Sequence, residues 1–520
     1  MKKTTKKKIK TSKNIKQPLW MLLLLAVISG LMCVGSFPDI NLNGLAWIAL
    51  IPLFYALSNA TDKQSFFVGW LFGAVHSIGV CYWVFYAMHE NSNAGFWVSL
   101  IFLIIVAGGG IGLYLALFSY VANRAVYRIN SELLTAVTIS SAWVVMEYCR
   151  AHFFTGMPWT LLGHSQYQWT RLIQVSDVTG VYGISFVLVM TNYCLFRAIT
   201  CWPDKKISMT RLIPAGALIT VILVYGSIRI SAFTKPQSVG TSPAMTVAVI
   251  QGSVPQNNKW RKEKAAEILS DHLRLTENAL QQKVDLFIWP ETSVSSYLEE
   301  KIPLSLTQLL YRYNTICIIG GPRYTGKQGN YTFYNSAYLL NKNGIIDIHD
   351  KQHLFPFGEY FPLGFIDILN LRYAAPRQYS AGQEITLFET PVGRAGILIC
   401  FEAIFPGLVR KIVNQGAEIL INISNDAWFG KTSAHFQHFS MDVFTAVSFR
   451  RHFIRAANTG ISGFIDPAGI VRKQLLQFEE GISLYSPQAV KTISPYCRYG
   501  DIFVLLCFLG CVFVILPSKT

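Results

Sequence analysis

Apolar positions follow two regimes along the chain. From residue 18 to about 235, and again over about 501–517, they form long runs almost free of charge. A membrane helix needs about 20 mostly apolar residues. Seven such runs precede residue 235: about 18–38, 43–61, 65–88, 94–122, 133–149, 176–200 and 211–232. The eighth is 501–517. Between them, residues 245–485 change character. Short β-rich runs (MTVAVIQG, VDLFIWPE, TICIIGGPR, NSAYLLN, AGILICFE, AEILINISN) alternate with helical stretches at 261–282 and 403–416. That is an α/β pattern around a buried sheet core. The expected organisation is a basic tail over 1–17, a membrane part over 18–235 and an α/β domain over 243–490. Ser238–Pro243 serves as linker and a last membrane helix lies within 500–520.

Composition sharpens this picture. Hydrophobic residues make up 52% of the chain and charged residues 14%, against about 25% charged in a soluble globular chain. The charge deficit sits in the long apolar runs, so the chain reads as a polytopic membrane protein with one large water-exposed domain. Eight lysines in residues 1–16 supply half of the net charge of +16. They suit a cytoplasmic anchor beside anionic lipid. The other basic residues are scattered, which argues against a nucleic-acid partner. Nothing after the first apolar run reads as a signal-peptide cleavage site.

Loop charges orient the chain. Lys63, then Arg124 and Arg128, then Lys205, Lys206 and Arg211 fall on the same side as the lysine tail. The opposite loops carry only Arg150 and Arg171. Positive residues collect on the cytoplasmic side, so both termini, including Lys519, are expected inside and residues 235–500 outside. The third outer loop, 150–175, is rich in aromatics and amides. It has two readings, an interfacial anchor or a lip that meets the α/β domain or a lipid. Glu147 and Asp177 are the main charges in the apolar runs, both near predicted ends. That is sparse for an ion-coupled carrier. The ten cysteines include no C-x-x-C pair, so neither a zinc site nor a disulfide framework is suggested.

Three β-runs of the α/β domain end on reactive side chains. VDLFIWPE stops at proline and then Glu291. DKQHLFPFGE carries Lys351 and Glu359, and GILICFE carries Cys400, Phe401 and Glu402. A base, a cation and a thiol are what cysteine-based acyl transfer requires. The thiolate is the nucleophile, and a carboxylate can take its proton. An ammonium and the N–H of Phe401 can hold the oxyanion. Each residue alone has a commoner structural role: a cysteine after a buried strand is usually inert core. The case rests on all three, in order, in one domain.

The combination resembles the nitrilase superfamily, whose Glu-Lys-Cys triad sits on an α-β-β-α sandwich. The family pattern falls on Glu291, Lys351 and Cys400, with Glu359 and Glu402 as supporting carboxylates. VIQGSVPQNNKW, WPET, KQHLFPFGEYFP, GILICFE and NISNDAWFG, with WVVMEYCR, TGMPW, LLGHSQ and DVTGVYGISF in the membrane part, resemble the apolipoprotein N-acyltransferase family over nearly the whole chain. Phe401 stands where that family often has tyrosine, and His349-Asp350 replaces a more usual aromatic–polar pair.

The resemblance implies a bacterial inner-membrane enzyme with its catalytic domain in the periplasm. It would move an acyl chain from a phospholipid, through a Cys400 thioester, to the N-terminal amine of diacylglyceryl apolipoproteins. No metal or soluble cofactor is implied, and nothing demands more than a monomer. It also implies that Trp159, Trp260, Trp428 and Phe429 surround the point where the acyl chain enters, with Asn425 shaping that loop. His435 and His438 are expected to be structural or substrate-positioning rather than a second base. Two other readings compete: a membrane-tethered amidase of the nitrilase type, and a transporter or receptor whose soluble domain only binds ligand.

Overall fold

The computed structural model describes residues 17–91, 94–202, 204–234, 245–327, 330–360 and 378–515. The lysine tail, the linker Ser238–Pro243 and Lys519 lie outside the described residues.

The first part is helical. Its helices are α1 (Leu19–Gly35), α2 (Ile51–Ser58), α3 (Asp62–Val80), α4 (Trp83–Asn91), α5 (Phe96–Leu103), α6 (Gly112–Arg128) and α7 (Glu132–His152). They are followed by α8 (Thr170–Ile173), α9 (Ser176–Thr179), α10 (Tyr182–Thr200) and α11 (Lys205–Thr234). A π-helical stretch, Ile104–Ile111, joins α5 to α6 into one continuous rod. That rod, α10 and α11 are each long and apolar enough to cross a membrane; α3 and α4 qualify as a pair bent by 52°.

The run 43–61 is built differently from a single span. It forms a 3₁₀ turn, Asn43–Trp47, and then the eight-residue α2. The break leaves backbone groups that a continuous helix would pair, and buried polar groups need partners. Asn192 of α10 supplies them, accepting from Leu50 N–H at 2.8 Å and donating to Ala46 C=O at 2.8 Å.

The second part holds twelve strands in two six-stranded sheets. The first has the order β12-β1-β2-β3-β4-β5 and the second β11-β10-β9-β8-β7-β6. The strands are β1 (Val247–Gln251), β2 (Leu286–Ile288), β3 (Ile316–Lys327), β4 (Asn330–Asn341), β5 (Gly344–Asp350) and β6 (Leu387–Thr390). The rest are β7 (Gly393–Ile399), β8 (Ile419–Ser424), β9 (His452–Ala457), β10 (Ser462–Ile465), β11 (Val471–Leu475) and β12 (Gly481–Tyr485).

Side chains alternate faces along a strand, and the core divides accordingly. Val247, Val249, Leu286 and Ile288 of the first sheet meet Ile397, Ile399, Ile421 and Ile423 of the second. The opposite faces, through Ile250, Phe287 and Ile319, pack on helices α12 (Ala265–Leu280) and α13 (Leu304–Tyr313). Leu398, Leu420 and Phe453 pack on α14 (Pro406–Asn414) and α15 (Ala434–Phe449). The result is four layers, helix–sheet–sheet–helix. Two last helices, α16 (Pro495–Tyr499) and α17 (Ile502–Ile515), return the chain to the membrane part.

The outermost helical layer joins the two parts. Its core is continuous with that of α1, α7 and α10. Arg450, capping α15, donates to Asp177 Oδ2 from Nε and Nη2 at 2.9 and 2.7 Å, while Arg229 of α11 pairs with the same oxygen at 2.7 Å. The 150–175 loop docks on the same layer. Trp159 is buried, and its Nε1 donates to Gln437 Oε1 at 2.7 Å. Of its two readings, the loop's 150–159 stretch adopts the lip against the α/β domain.

Candidate active site

Three strand ends converge between the sheets. β2 delivers Glu291 just past Trp289-Pro290, β5 delivers Lys351, and β7 ends at Ile399, directly before Cys400. Lys351 is buried, with Nζ 2.8 Å from Glu359 Oε2 and 3.7 Å from Glu291 Oε1. Asn335 of β4 joins the two carboxylates by donating from Nδ2 to Glu291 Oε1 and Glu359 Oε1, both at 2.7 Å. Glu291 Oε2 accepts from Asn425 N–H at 2.7 Å. Phe355 N–H donates to Glu359 Oε2 at 2.7 Å.

Cys400 opens a 3₁₀ turn, Cys400–Ile404, with φ of 55°. A left-handed backbone is costly for a side chain with Cβ, and here it turns the thiol sharply out of the strand end. The first N–H groups of a helical turn lack intrahelical partners, so the Phe401 N–H is available beside the thiol. Glu402 holds the turn in place. Its Oε2 accepts from Ile399 N–H at 2.7 Å, and its Oε1 accepts from Gln352 and His353 N–H at 2.6 and 2.9 Å. One carboxylate therefore ties the cysteine turn to the loop carrying Lys351.

Electrostatics follow from burial. Burial, and then the charge of Glu291, push the Cys400 thiol above its ordinary range, while Lys351 opposes them. Lys351 is opposed most by burial, yet Glu359, Glu291 and Cys400 together hold its ammonium above the usual lysine range. Burial raises Glu402 to about 7, against the pull of its N–H partners. Burial therefore disfavours the thiolate, while the neighbouring charge of Lys351 favours it, so ionisation here needs an adjacent group to take the proton.

Sequence reading did not single out Lys259, Asn335 or Arg455. Lys259 is buried and donates from Nζ to the Glu291 carbonyl at 2.8 Å. Burial lowers it to about 7, opposed by Glu291 and Cys400. Arg455 bridges Asp426 and Asp442 at 2.6 Å each. Although burial opposes it, that guanidinium, with His435 and His438, keeps Asp426 well below the usual carboxylate range. The two histidines are thus partners of Asp426. A charged residue inside the apolar run HFIRAA was the visible signal for Arg455.

The aromatic residues separate into three groups. An apolar cavity beside the site is lined by Trp428, Phe355, Phe357 and Phe401 on one side and by Trp83, Met88, Phe102, Ala107 and Ile111 on the other. Phe429 and Trp159 stand behind this lining, each packed on Trp83 with centroids 4.8 Å apart. Trp260 is 51% exposed and does not line the cavity. Asn425 contacts Glu291 rather than the cavity; its Nδ2 donates to Gln256 Oε1 at 2.8 Å.

Comparison with known proteins gives a consistent result. Residues 29–194 match the family model described as apolipoprotein N-acyltransferase N-terminal domain, and residues 246–492 match carbon-nitrogen hydrolase. A protein of Geobacter metallireducens named apolipoprotein N-acyltransferase is 35% identical over 496 residues, covering 94% of each chain. One of Rickettsia prowazekii with the same name is 30% identical, covering 95% of this chain and 96% of its own. A solved carbon-nitrogen hydrolase from Helicobacter pylori G27 covers 50% of this chain and 94% of its own, at 16% identity and a TM-score of 0.37. That score is too low to carry the fold assignment, which rests on the topology and the family models.

Proposed function

The chain belongs to the apolipoprotein N-acyltransferase family, and from that premise we propose that Cys400 carries the acyl group between a membrane phospholipid and a lipoprotein amine. The observation that carries this reading is the buried cluster of Glu291, Lys351 and Glu359 beside a left-handed Cys400, whose neighbour Phe401 lines an apolar cavity shared with the membrane helices.

The reaction is ping-pong. Glu291 takes the Cys400 proton, and the thiolate attacks an ester carbonyl of the phospholipid. Lys351 and the Phe401 N–H hold the tetrahedral oxyanion. The C–O bond breaks, the lysophospholipid leaves with the proton from Glu291, and a thioester remains. The α-amine of an S-diacylglyceryl cysteine then attacks the thioester, with Glu291 taking the amine proton. The C–S bond breaks, an amide forms, and the proton returns to the thiol. Glu359 and Asn335 position Lys351 and Glu291, and Glu402 positions the nucleophile turn. The reaction requires neither a metal nor a soluble cofactor, and a monomer contains every group used.

The membrane helices supply the lipid environment. Both substrates carry tails that a free-standing site would have to extract, at about 0.8 kcal/mol per CH₂. The apolar cavity receives the acyl chain of the donor without that step. The loop charges support an N-in topology, with the α/β domain on the periplasmic face of a bacterial inner membrane and eight crossings in all.

The test is intact mass of the purified enzyme incubated with phospholipid alone, with Cys400→Ala as control. An acyl adduct on Cys400 is expected. Adding a diacylglyceryl peptide should discharge it, with the acyl group recovered on the peptide amine. No adduct from any phospholipid, together with turnover of small amides, would overturn the reading.

A further inference from the structure

One wall of the apolar cavity is formed by the only π-helical stretch among the described residues, Ile104–Ile111. A π turn bonds i to i+5, one residue wider than an α turn, and such turns recur at functional sites. Phe102, Val106, Ala107 and Ile111 face the cavity in steps of four or five residues. With about 3.6 residues per turn, an uninterrupted α-helix would bring Gly110 to the position one turn beyond Val106 and Ala107. The extra residue brings Ile111 there instead, so a branched side chain rather than a glycine lines the cavity at that position.

This wall cannot retreat. On its back face, a Cβ added to Gly108 would lie 3.0 Å from Ile78 Cδ1, and one on Gly112 would lie 3.1 Å from the Ala74 backbone nitrogen. The stretch is seated against α3 with no slack, and Ala107 and Ile111 are both buried. Its depth also fits. Counting from Phe96, at the catalytic-domain end of the rod, Ala107 and Ile111 lie about 16 and about 22 Å down the helix axis. Both distances fall within the thickness of a hydrocarbon core of about 30 Å.

We infer that the π-helical stretch gauges acyl-chain length: Ala107 and Ile111 form the floor on which the terminal methyl of the bound chain stops, which makes them specificity-determining residues. The inference rests on the acyltransferase reading of the adjoining site. The side chain at 107 sets how much of the chain fits, and the one at 111 closes the far end.

The experiment uses the full-length enzyme in mixed micelles with equal amounts of dioctanoyl, dipalmitoyl and diarachidoyl glycerophospholipid. The acyl groups on Cys400 are read by intact mass. Ala107→Phe should lower the palmitoyl-to-octanoyl adduct ratio by at least about tenfold, the scale on which apolar pockets discriminate methylenes. Ile111→Ala should shift the ratio the other way, raising arachidoyl over palmitoyl. Unchanged ratios in both variants, with normal adducts in the wild type, would overturn the gauge and leave the acyltransferase reading standing. If Ala107→Phe forms no adduct at all, Ile111→Ala decides. No adduct in the wild type would remove the acyltransferase reading itself.

Discussion

The indole of Trp159 and the ring of Phe401 lie 23° from parallel with centroids 6.4 Å apart, joining the 150–175 loop to the residue after Cys400. Trp159 is fixed from behind, because Arg150 Nη2 donates to its carbonyl at 3.0 Å and its own Nε1 donates to Gln437. Gln437 in turn donates to the carbonyls of Pro38 and Val80. The position of the Phe401 N–H is therefore set partly by the membrane part. Trp159→Ala removes a buried indole, which costs about 3–5 kcal/mol, and strands the Gln437 oxygen. It should lower the apparent Tm and slow Cys400 acylation far more than Trp159→Phe, which keeps a ring. Intact-mass time courses on both variants check this; wild-type acylation in Trp159→Ala would refute the coupling.

Glu402 makes a second, sharper case. Its two oxygens accept three N–H groups on both sides of the Cys400 turn. An amide has one acceptor oxygen, and its NH₂ would face an N–H donor. Glu402→Gln is therefore expected to loosen the Lys351 loop from the nucleophile. Acyl-enzyme formation should fall by about a hundredfold, equivalent to about 2.7 kcal/mol of barrier, with helical content unchanged by circular dichroism. Equal rates in the variant and wild type would show that the three bonds do not position the nucleophile.

Which features were legible in the sequence follows from burial. β1, β2, β3, β4, β7 and β8 read as apolar runs because central strands between two layers are covered on both faces. β11, Val471-Arg472-Lys473-Gln474-Leu475, shows no apolar run because it is a sheet edge whose side chains meet solvent. α15 escaped for the opposite reason. It is buried all round, with His435, Gln437, Ser440 and Asp442 bonded internally, so it shows no amphipathic period. The 43–61 run reads as one continuous helix because hydropathy cannot register a 3₁₀ turn paired to Asn192, some 140 residues away. The same distance effect hid Asn335 and Lys259, whose roles exist only once β4 and the 256–259 turn fold against Glu291. The positions of Glu291, Lys351 and Cys400 were legible because each follows the end of a β-run.

Arg455 should prove indispensable to the fold. It is fully buried, pairs with Asp426 and Asp442, and also donates to Asn422 Oδ1 at 3.1 Å. Breaking such a pair on one side leaves an uncompensated charge and costs about 3–5 kcal/mol. Arg455→Met should unfold at a clearly lower temperature than Arg472→Met, whose Asp466 partnership is partly exposed. Thermal unfolding followed by tryptophan fluorescence in detergent compares the two; a smaller loss in Arg455→Met would contradict the buried-network account.

Lys259 predicts a pH dependence whose sign can be worked out. Burial holds it at about 7 in the folded chain, against about 10.4 for an unperturbed lysine. Between those values the unfolded chain binds more protons than the folded one, so native stability rises with pH across that window. Below pH about 7 both states carry the charge, and the full desolvation cost opposes folding. Lys259→Met removes that cost but also loses the hydrogen bond to the Glu291 carbonyl. Its apparent Tm relative to wild type should therefore be highest near pH 6 and fall progressively toward pH 9, as the wild-type lysine sheds its proton. Thermal unfolding of both proteins across that range makes the measurement. A Tm difference that stays constant with pH would mean that the folded lysine does not titrate in the window.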